Sequence, residues 1–597
     1  GANGGGFAIA SAGNTFTVFQ SLDAGGSLRK QGDGTLVLTG ANSYTGGTLV
    51  EAGTLIGNVA SIRGDIGNAG TVVFDQATDA TFDGDIAGFG SIDGQMVKQG
   101  AGDLTLAGIS RLDWTIEAGG LTTAADRFSG DVAIAAPASF TFDQSADAVY
   151  AGALSGTGSF LKQGSGVLAY DGDGSAFTGS TTVEQGALIV GSSEAHADAV
   201  LGGAVEILSG ATLGGHGTVG SVTLDAGATI APGNSVGTIT VVGDITFDVG
   251  STYMVEVDPE GTESDLIHVT GKATLGGASV VHIGEIGTYR PTTTYTILTA
   301  DGGIASTFDT VTSSFAFLDP ELSYDAQNVY LRLTRNGIDF CLAGMTANQC
   351  AAGTGVESTD AGNSIYDAVV GLSADQATDA FDQLSGEVHA SLKGMLIDDS
   401  RFVRDAATDR IRSAFAAVGS DTMPVLAYGP DGTGPVPASA DTLASAAWGR
   451  AFGSWSELDS DGNAAALSWS TGGFLTGLDA AFGDHWRAGI ITGYSHTSFD
   501  VDDRASSGSA DSFHLGLYGG GEWDVAGGTL GLRGGAAYSW HDIETERSIA
   551  FGSFSDSPTG DYHAGTAQVF GEIGYGFEAG AFGLEPFANL AYVRLET

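Results

Sequence analysis

The chain has 597 residues, of which 96 are Gly and only 22 are Lys or Arg, and its formal net charge is −49 at pH 7. This length predicts several domains, and so much glycine without a collagen period predicts many tight turns between short strands. The acidity excludes nucleic-acid binding, which needs clustered Lys and Arg, and no apolar run reaches the roughly 20 residues of a membrane-spanning helix.

One phrase recurs three times, as SLRKQGDGTLVLTG at 27–40, MVKQGAGDLTLAG at 96–108 and FLKQGSGVLAYDG at 160–172. In each copy apolar residues alternate with polar ones until a Gly, Asn or Asp, which is typical of very short strands joined by sharp turns. Such units, stacked along one axis, form a parallel β-solenoid in which each coil hydrogen-bonds to the next. A β-sandwich is the alternative, although it does not require the same phrase three times.

A second phrase follows the first and third copies, as YTGGTLVEAGTLIG at 44–57 and FTGSTTVEQGALIVG at 177–191. Together the two phrases resemble the passenger-associated repeat of autotransporters, K-x-G-x-G-x-L-x-L followed by Y-x-G-G-T-x-V-x-x-G-x-L. The resemblance implies that residues 1–200 are an exported passenger folded as a right-handed parallel β-helix. The residues that carry the first half of the motif are Lys30, Gly32, Gly34, Lys98, Gly100, Gly102, Lys162, Gly164 and Gly166.

Within the first repeat, Arg63-Gly64-Asp65 matches the integrin-recognition tripeptide. A match of three residues arises easily by chance, and solenoid turns favour Gly-Asp in any case. We interpret the tripeptide as a turn and keep an adhesive role as the alternative.

Strand-and-turn patterning continues over 201–336, where Pro232, Gly233, Asn234 and Ser235 resemble part of the autochaperone region that caps autotransporter solenoids. A cap covers backbone groups that a terminal coil would otherwise leave unpaired. The resemblance implies folding from this end during secretion. The same stretch also spells G-x-S-x-G, but a nucleophile elbow needs a helix after it, and the chain continues as TITVVGDITF.

Cys341 and Cys350 lie nine positions apart in an otherwise thiol-free chain. Such a pair predicts a disulfide in an exported protein, with two small buried residues as the alternative. Two thiols with no nearby His are an incomplete zinc ligand set, and we predict neither a metal nor another cofactor.

The linker predicted over 337–420 contains this pair and a helix, because apolar residues from Val388 to Phe415 recur at near-helical spacing and Ser385-Gly386 interrupts the pattern. The segment is similar to the helix that threads autotransporter pores. The resemblance implies that Arg401, Arg404, Arg410 and Arg412 face acidic residues of the pore. We interpret Glu387 and Asp398 as ordinary helix charges. A connector rich in Pro and Gly, predicted to be flexible, covers 421–445.

About seven alternating strands follow over 446–597, with Phe513, Leu515 and Leu517 opposite polar neighbours. An apolar face with terminal aromatics predicts lipid outside and water inside, whereas the alternative, a soluble sandwich, would carry more Lys and Glu on its polar face. The segments WGRAFGSW and AQVFGEIGYGF resemble the autotransporter translocator, which implies an antiparallel transmembrane β-barrel. The residues predicted to face its pore are Arg410, Arg412, Arg487, Arg533 and Glu572.

The family barrel has twelve strands, and open barrel edges cannot stand in lipid, so we expect an incomplete barrel in a fragment truncated at both ends. The overall prediction is a mainly β autotransporter whose barrel translocates a β-helical passenger and anchors it on the bacterial cell surface. The chain is predicted not to be an enzyme. The expected partners are outer-membrane lipid, the barrel assembly machinery and periplasmic chaperones. The alternatives are an adhesin that binds host-cell or matrix proteins and a carrier of an enzymatic passenger upstream of Gly1.

Overall fold

The computed structural model describes residues 4–23, 25–284, 287, 289, 293–420, 425–428, 435–438 and 445–597. They form two compact units, Gly1–Gly337 with Val370–Ser373, and Ile338–Val369 with Ala374–Thr597. Most of the connector predicted over 421–445 lies outside the described residues.

The first unit is a parallel β-solenoid, which confirms the predicted fold class. Two short 3-10 helices, Ala125–Arg127 and Glu194–His196, lie between its strands. The strands β1 to β40 are, in chain order, Gly5–Ala8, Thr15–Val18, Leu28–Gln31, Thr35–Leu38, Thr48–Val50, Thr54–Gly57, Ile66–Asn68, Thr71–Asp75, Ala80–Phe82, Ile86–Gly88, Gln95–Gln99, Leu104–Leu106, Trp114–Ile116, Gly120–Thr123, Val132–Ile134, Ser139–Asp143, Ala148–Tyr150, Leu154–Gly156, Ser159–Gln163, Val167–Tyr170, Asp173–Gly174, Ala176–Phe177, Ser180–Val183, Ala187–Val190, Val200–Leu201, Ala204–Ile207, Thr212–Gly215, Thr218–Val219, Val222–Leu224, Thr229–Pro232, Thr238–Val241, Ile245–Phe247, Thr252–Glu256, Leu266–Val269, Ala273–Thr274, Ser279–Ile283, Thr294–Ala300, Thr310–Ser313, Leu318–Tyr324 and Asn328–Arg335.

The repeat lysines are buried inside this solenoid and bind backbone carbonyls. Lys98 is fully buried, and its Nζ donates to the carbonyl oxygens of Gln99 at 2.9 Å, Gly100 at 2.8 Å and, one coil further on, Ala118 at 2.9 Å. Three acceptors match the three N–H donors of an ammonium group, although burial still lowers the pKa of Lys98. The same cage recurs at Lys30, with the carbonyls of Gln31, Gly32 and Ala52, and at Lys162, with those of Gln163, Gly164 and Gln185.

Each cage explains the two glycines of the motif. Gly100 has φ +77°, a left-handed conformation that turns its carbonyl toward the ammonium of Lys98 without a steric penalty. Gly102 passes so close to the previous coil that a Cβ atom there would lie 2.3 Å from the carbonyl carbon of Thr78. The spacing K-x-G-x-G therefore combines a buried cation, the turn that solvates it and a close contact between coils.

The repeat spans three coils and one further strand. The sheet that holds Lys30 is continued by one strand from each of the next three coils, namely Thr48–Val50, Ile66–Asn68 and Ile86–Gly88. Lys98 lies in the next strand of the chain, Gln95–Gln99, which belongs to a second sheet. After Lys98 the chain again passes through three coils and one further strand before it reaches Lys162, which lies in a third sheet.

The solenoid ends in an antiparallel hairpin. The strand Asn328–Arg335 pairs in antiparallel fashion with Thr294–Ala300 of the last coils and with the outer strand Leu318–Tyr324. Pro320 in the outer strand has no N–H group to offer to a further strand, which blunts this edge. The hairpin lies in the 201–336 region that the sequence predicted to be a cap.

Five α-helices are described after the solenoid strands: α1 (Ala347–Glu357), α2 (Ser364–Val370), α3 (Ala374–Leu384), α4 (Glu387–Asp399) and α5 (Arg401–Ala414). The break between α3 and α4 falls at Ser385-Gly386, as predicted. Among the described residues, no helix is both long and apolar enough to cross a lipid bilayer.

Apart from the two-stranded hairpin of Ile549–Phe551 and Phe554–Asp556, the strands described after the helices form one antiparallel sheet. Its long strands pair in chain order, β43 through β47, β50 and then β52, which is the number of long strands that the sequence predicted. The strands β41 to β52 are Val425–Tyr428, Pro435–Ala438, Ser445–Leu458, Leu467–Phe482, Trp486–Val501, Ser506–Val525, Gly528–Arg547, Ile549–Phe551, Phe554–Asp556, Thr559–Ala579, Phe582–Leu584 and Phe587–Glu596.

Candidate functional site

The C-terminal sheet has one apolar face open to its surroundings. Phe513, Leu515 and Leu517 alternate along β46 with buried Ser512 and His514, and their exposed fractions are 50%, 51% and 65%. Neighbouring strands present Trp486, Ile490, Trp540, Val569 and Ile573 on the same side. Rows of large exposed apolar side chains on successive strands are what a lipid-facing barrel wall requires.

The opposite face, called here the interior face, packs against α4 and α5. Helix α4 contacts β44 and β52, and α5 contacts β45, β46 and β47, so the sheet wraps around both helices. The α5 side chains Val403 and Ile411 share an apolar cluster with Trp448, Leu475 and Ile491 of the sheet. Glycines permit the close approach, since a Cβ atom on Gly520 would lie 2.7 Å from the Cγ2 of Ile411.

A polar layer crosses the interior face at the junction of α4 and α5. Asp399 accepts hydrogen bonds from Thr471 Oγ1 at 2.6 Å and Thr497 Oγ1 at 3.2 Å, and Gln568 Nε2 donates to the carbonyl of Ser400 at 2.9 Å. Beside them lie two buried imidazoles, each between two hydroxyl groups: His514 between Ser495 and Ser539, and His541 between Ser512 and Thr566. This layer satisfies buried polar groups across the sheet.

Near the end of α5, two predicted arginines meet on one carboxylate. Arg410 Nε lies 2.7 Å from Asp479 Oδ2, and Arg487 bonds the other oxygen of the same side chain. Tyr518 Oη donates to Asp479 Oδ2 at 2.8 Å and accepts from Trp448 Nε1 at 2.6 Å. The Arg410 and Asp479 side chains are fully buried, so this is an ion pair without solvent screening.

A second cluster joins the remaining predicted residues. Arg412 forms a bidentate pair with Glu572 at 3.0 and 2.7 Å, and Arg533 binds the same carboxylate at 2.9 Å. Arg533 also reaches Glu522 at 3.0 Å and Glu585 at 2.7 Å. The five residues predicted to face the pore therefore all lie on the interior face, in two charged clusters that hold α5 against the sheet.

Two other predictions for the helix are wrong. Arg401 pairs with Asp398 of its neighbouring helix turn at 3.1 Å, and Arg404 donates to Ser400 at 3.0 Å, so in the part of the chain that the structure describes neither pairs with an acidic residue of the sheet. Glu387 is not an ordinary helix charge, because its side chain is 4% exposed and pairs with Arg504 at 3.0 Å. Asp479 was not among the predicted residues, although its position on the inward register of LTGLDAAF was a usable signal.

The tripeptide Arg63-Gly64-Asp65 lies on an exposed turn of the solenoid, where Gly64 has φ +65°. Asp65 Oδ1 accepts the backbone N–H of Asp85 in the next coil at 3.0 Å. Other turn aspartates do the same, since Asp85 accepts from Ile109 at 2.8 Å. Asp65 thus has a structural role that does not involve a ligand.

The predicted cap motif forms a turn between two solenoid strands. Pro232 ends the strand Thr229–Pro232, Gly233 follows with φ +75°, and Asn234 Nδ2 donates to the carbonyl of Ser192 at 2.6 Å. Ser235 lies in the same turn, and the next element is the strand Thr238–Val241 rather than a helix. This geometry is incompatible with a nucleophile elbow.

Cys341 and Cys350 form a disulfide with their Cα atoms 4.5 Å apart, at the start of α1. Within the described residues, no group of three or more His, Cys, Asp or Glu side chains is arranged to hold a metal ion.

A Ser–His–Asp group that the sequence analysis missed lies on the solenoid surface. His196 Nδ1 is 3.1 Å from Ser193 Oγ, 3.4 Å from Ser192 Oγ and 3.6 Å from Asp171 Oδ2. A catalytic relay needs the hydroxyl and the carboxylate on different imidazole nitrogens, and here all three approach the same one. The arrangement is that of a turn rather than of an activated nucleophile.

A parallel solenoid followed in sequence by helices held inside a lipid-facing sheet is the architecture of an autotransporter. Residues 447–597 match the family model of the autotransporter beta-domain, and residues 28–56, 96–122 and 160–190 match that of the passenger-associated-transport-repeat. The chain therefore carries the β-domain and the passenger repeats of the autotransporter family.

Curated relatives support the same assignment. An "Extracellular serine protease" of Serratia marcescens is 33% identical over 74% of this chain, and a second protein of that name from the same organism is 30% identical over 74%. The chain spans 44% of the length of each. An "Adhesin BmaC autotransporter" of Brucella suis biovar 1 (strain 1330) is 31% identical over 31% of the chain and 4% of its own length.

Proposed function

We propose that the parent protein is a type V secretion protein, in which the β-domain translocates a β-helical passenger and anchors it on the bacterial outer membrane. The observation that carries this proposal is the packing of α4 and α5, which precede the sheet in sequence, against its interior face while its other face is apolar. A chain segment inside a lipid-facing wall is what remains when the preceding passenger has passed through. Outer-membrane lipid, barrel assembly machinery and periplasmic chaperones are the proposed partners.

The lysine cages support folding of the passenger from its C-terminal end. Lys98 takes two acceptors from its own turn, but its third, the carbonyl of Ala118, belongs to the next coil toward the C-terminus. If that coil has folded first, the arriving Lys98 finds its carbonyl already in place. The energy released as each coil is added can then draw the passenger outward without ATP.

Surface accessibility tests the proposal. We expect an epitope inserted in the solenoid to be cleaved by protease added to intact cells when the complete gene is expressed, and to be protected when residues 446–597 are deleted. Protection of the epitope in both cases, with the periplasmic compartment intact, contradicts translocation by the β-domain.

An adhesin is the second candidate, favoured by the adhesin relative and by the exposed turn at Arg63-Gly64-Asp65. Asp65 already serves the backbone of the next coil, so Arg63 is the informative side chain. Cells that display Arg63→Ala should adhere to matrix proteins less than cells that display the unchanged passenger at equal surface density. Equal adherence removes the argument from the tripeptide.

An enzymatic passenger is the third candidate, because two relatives are named extracellular serine proteases. Such an activity would have to come from outside the described residues or from a rearranged His196 site. Protease activity of cells that express the complete gene, compared with cells that express the chain from Gly1 with a secretion signal, distinguishes these sources.

A further inference from the structure

One carboxylate joins three separate parts of the second unit. Glu387 is the first residue of α4 and is buried. Its Oε1 accepts from Arg504 Nε at 3.0 Å and from the backbone N–H of Ala465 at 3.1 Å, while its Oε2 accepts from Asn348 Nδ2 at 3.1 Å. Ala465 precedes β44, Arg504 lies between β45 and β46, and Asn348 belongs to α1.

Further contacts surround this carboxylate. Arg504 also binds Asp382 of α3 at 3.1 Å, and Arg547 Nη2 donates to the carbonyls of Gln383 at 2.5 Å and Ser385 at 2.9 Å. The carbonyl of Gln383 lies in the last turn of α3 and that of Ser385 just after it, where helix carbonyls have no partner inside the helix. The bonds from Arg547 therefore fix the break between α3 and α4 to the sheet.

All the sheet residues involved lie at one end of the strands. We call this the loop end, formed by the connections 459–466, 502–505 and 548–558. Arg410 and Arg412 lie far along α5 from Glu387, where they pair with residues near the opposite ends of the strands. The helices are thus held to the sheet at both ends, by different ionic groups.

In the proposed translocation, the loop end faces the cell surface, because the passenger precedes α4 in the chain. While passenger is in transit, α1, α3 and α4 cannot all be in position, and the carboxylate of Glu387 cannot have its three partners. A buried carboxylate is stable only when it is fully paired, so these contacts form together or not at all.

We propose that Glu387 is the positioning residue that closes the loop end of the barrel after the passenger has emerged, by holding the α3–α4 junction to two loops and to α1 at once. This inference rests on the proposed function, since closure matters only in a pore. It differs from the known role of a helix inside such a pore because it assigns closure to the outer junction and to one residue that the helix pattern does not single out.

The experiment uses the complete protein in the outer membrane and four substitutions. Glu387→Gln keeps a polar side chain of the same size and removes the charge, Arg504→Gln removes its partner, and Arg504→Lys keeps the positive charge beside the carboxylate. The matched control is Asp398→Asn, on the same helix, whose carboxylate is 43% exposed and pairs with Arg401 beside it. The readouts are entry of vancomycin, surface protease access to the passenger, and heat-modifiable electrophoretic mobility of the barrel.

We expect Glu387→Gln and Arg504→Gln to raise vancomycin entry by about tenfold, because loss of one partner of a buried ion pair shifts its equilibrium by at least that factor. Surface passenger and barrel mobility should stay unchanged, Arg504→Lys should retain most of the barrier, and Asp398→Asn should match the unchanged protein. A barrier that is kept by Arg504→Lys and lost in Arg504→Gln separates positioning by the ion pair from a general structural role.

Vancomycin entry by Glu387→Gln equal to that of Asp398→Asn overturns the inference. Loss of the folded barrel in both Glu387→Gln and Arg504→Gln also overturns the inference, because Glu387 would then serve assembly rather than closure. Failure of the proposed function has a different signature, since the passenger of the unchanged protein would then be inaccessible to external protease.

Discussion

The two units bury positive charge in opposite ways. The solenoid surrounds Lys30, Lys98 and Lys162 with backbone carbonyls, whereas the C-terminal sheet neutralises Arg410 and Arg412 with carboxylates from distant strands. The carbonyl cage is local, because two of its three acceptors lie within two residues of the lysine. The carboxylate pairs join residues 69 and 160 positions apart. Each copy of a repeat can therefore form its own carbonyl cage, whereas the carboxylate pairs form only when the sheet is complete.

The largest effect should come from removing the shared carboxylate of the sheet. Asp479→Asn removes the charge of the carboxylate that the buried Arg410 and Arg487 share, which should cost about 4 kcal/mol of unfolding free energy. The urea midpoint of the membrane-embedded barrel, followed by heat-modifiable mobility, measures it. Asp409→Asn is the control, because that carboxylate is 39% exposed and its loss should cost less than about 1 kcal/mol. Equal urea midpoints for Asp479→Asn and Asp409→Asn would show that Asp479 acts as a solvated surface charge, as Asp409 does.

Emptying one carbonyl cage should have the next effect. Lys98→Met keeps the apolar stem but removes the ammonium from the carbonyls of Gly100 and Ala118, while that of Gln99 keeps its bond from the Gln76 N–H, and the cost should be about 3 kcal/mol. Hydrogen exchange of the strands Gln95–Gln99 and Trp114–Ile116 should accelerate locally. Lys272 is exposed, so Lys272→Met should leave hydrogen exchange unchanged. Equal exchange rates in Lys98→Met and Lys272→Met would argue against the cage.

His282 is a further buried base in the solenoid; it has neither a carbonyl cage nor a paired carboxylate, and it is neutral at neutral pH. Burial lowers the pKa of His282 from 6.5 to about 4, and its Nδ1 lies 2.9 Å from Ser313 Oγ. Between these two pKa values the imidazole of His282 is protonated in the unfolded chain and neutral in the folded chain. Stability should therefore be complete above the unfolded pKa and fall by about 2 kcal/mol by pH 5.

Circular dichroism of urea unfolding at neutral pH and at pH 5 measures the contribution of His282. His282→Gln should reduce the difference between the two midpoints. An undiminished difference would assign the acid sensitivity to other groups.

The smallest effect concerns the reverse arrangement, a carboxylate that accepts a backbone N–H. Asp65→Ala should speed exchange of the Asp85 amide about fivefold, since one hydrogen bond at an exposed turn is lost. Arg63→Ala, in the same tripeptide, should leave that amide unchanged. Unaltered exchange of the Asp85 amide in Asp65→Ala would show that the Asp65 carboxylate does not hold the next coil and is available to a receptor.

The local features were predictable from sequence, and the long-range ones were not. Recurring Lys-Gln-Gly phrases identified the solenoid, and alternation along 486–494 and 512–518 assigned the two faces of the sheet. The partners of Arg410 and Arg412 could only be anticipated as acidic, because strand register over such separations is set by the whole sheet. Glu387 was misjudged for the same reason, since its burial depends on loops that the helix pattern does not contain.

The offset of the repeat against the coil has a consequence for how such a passenger can change length. Because a repeat spans three coils and one strand, successive lysine cages follow a screw path from sheet to sheet instead of stacking in a column. Gain or loss of one repeat should therefore move every downstream strand to a different sheet. A surface that the passenger presents in one direction before such a change would point in another direction after it.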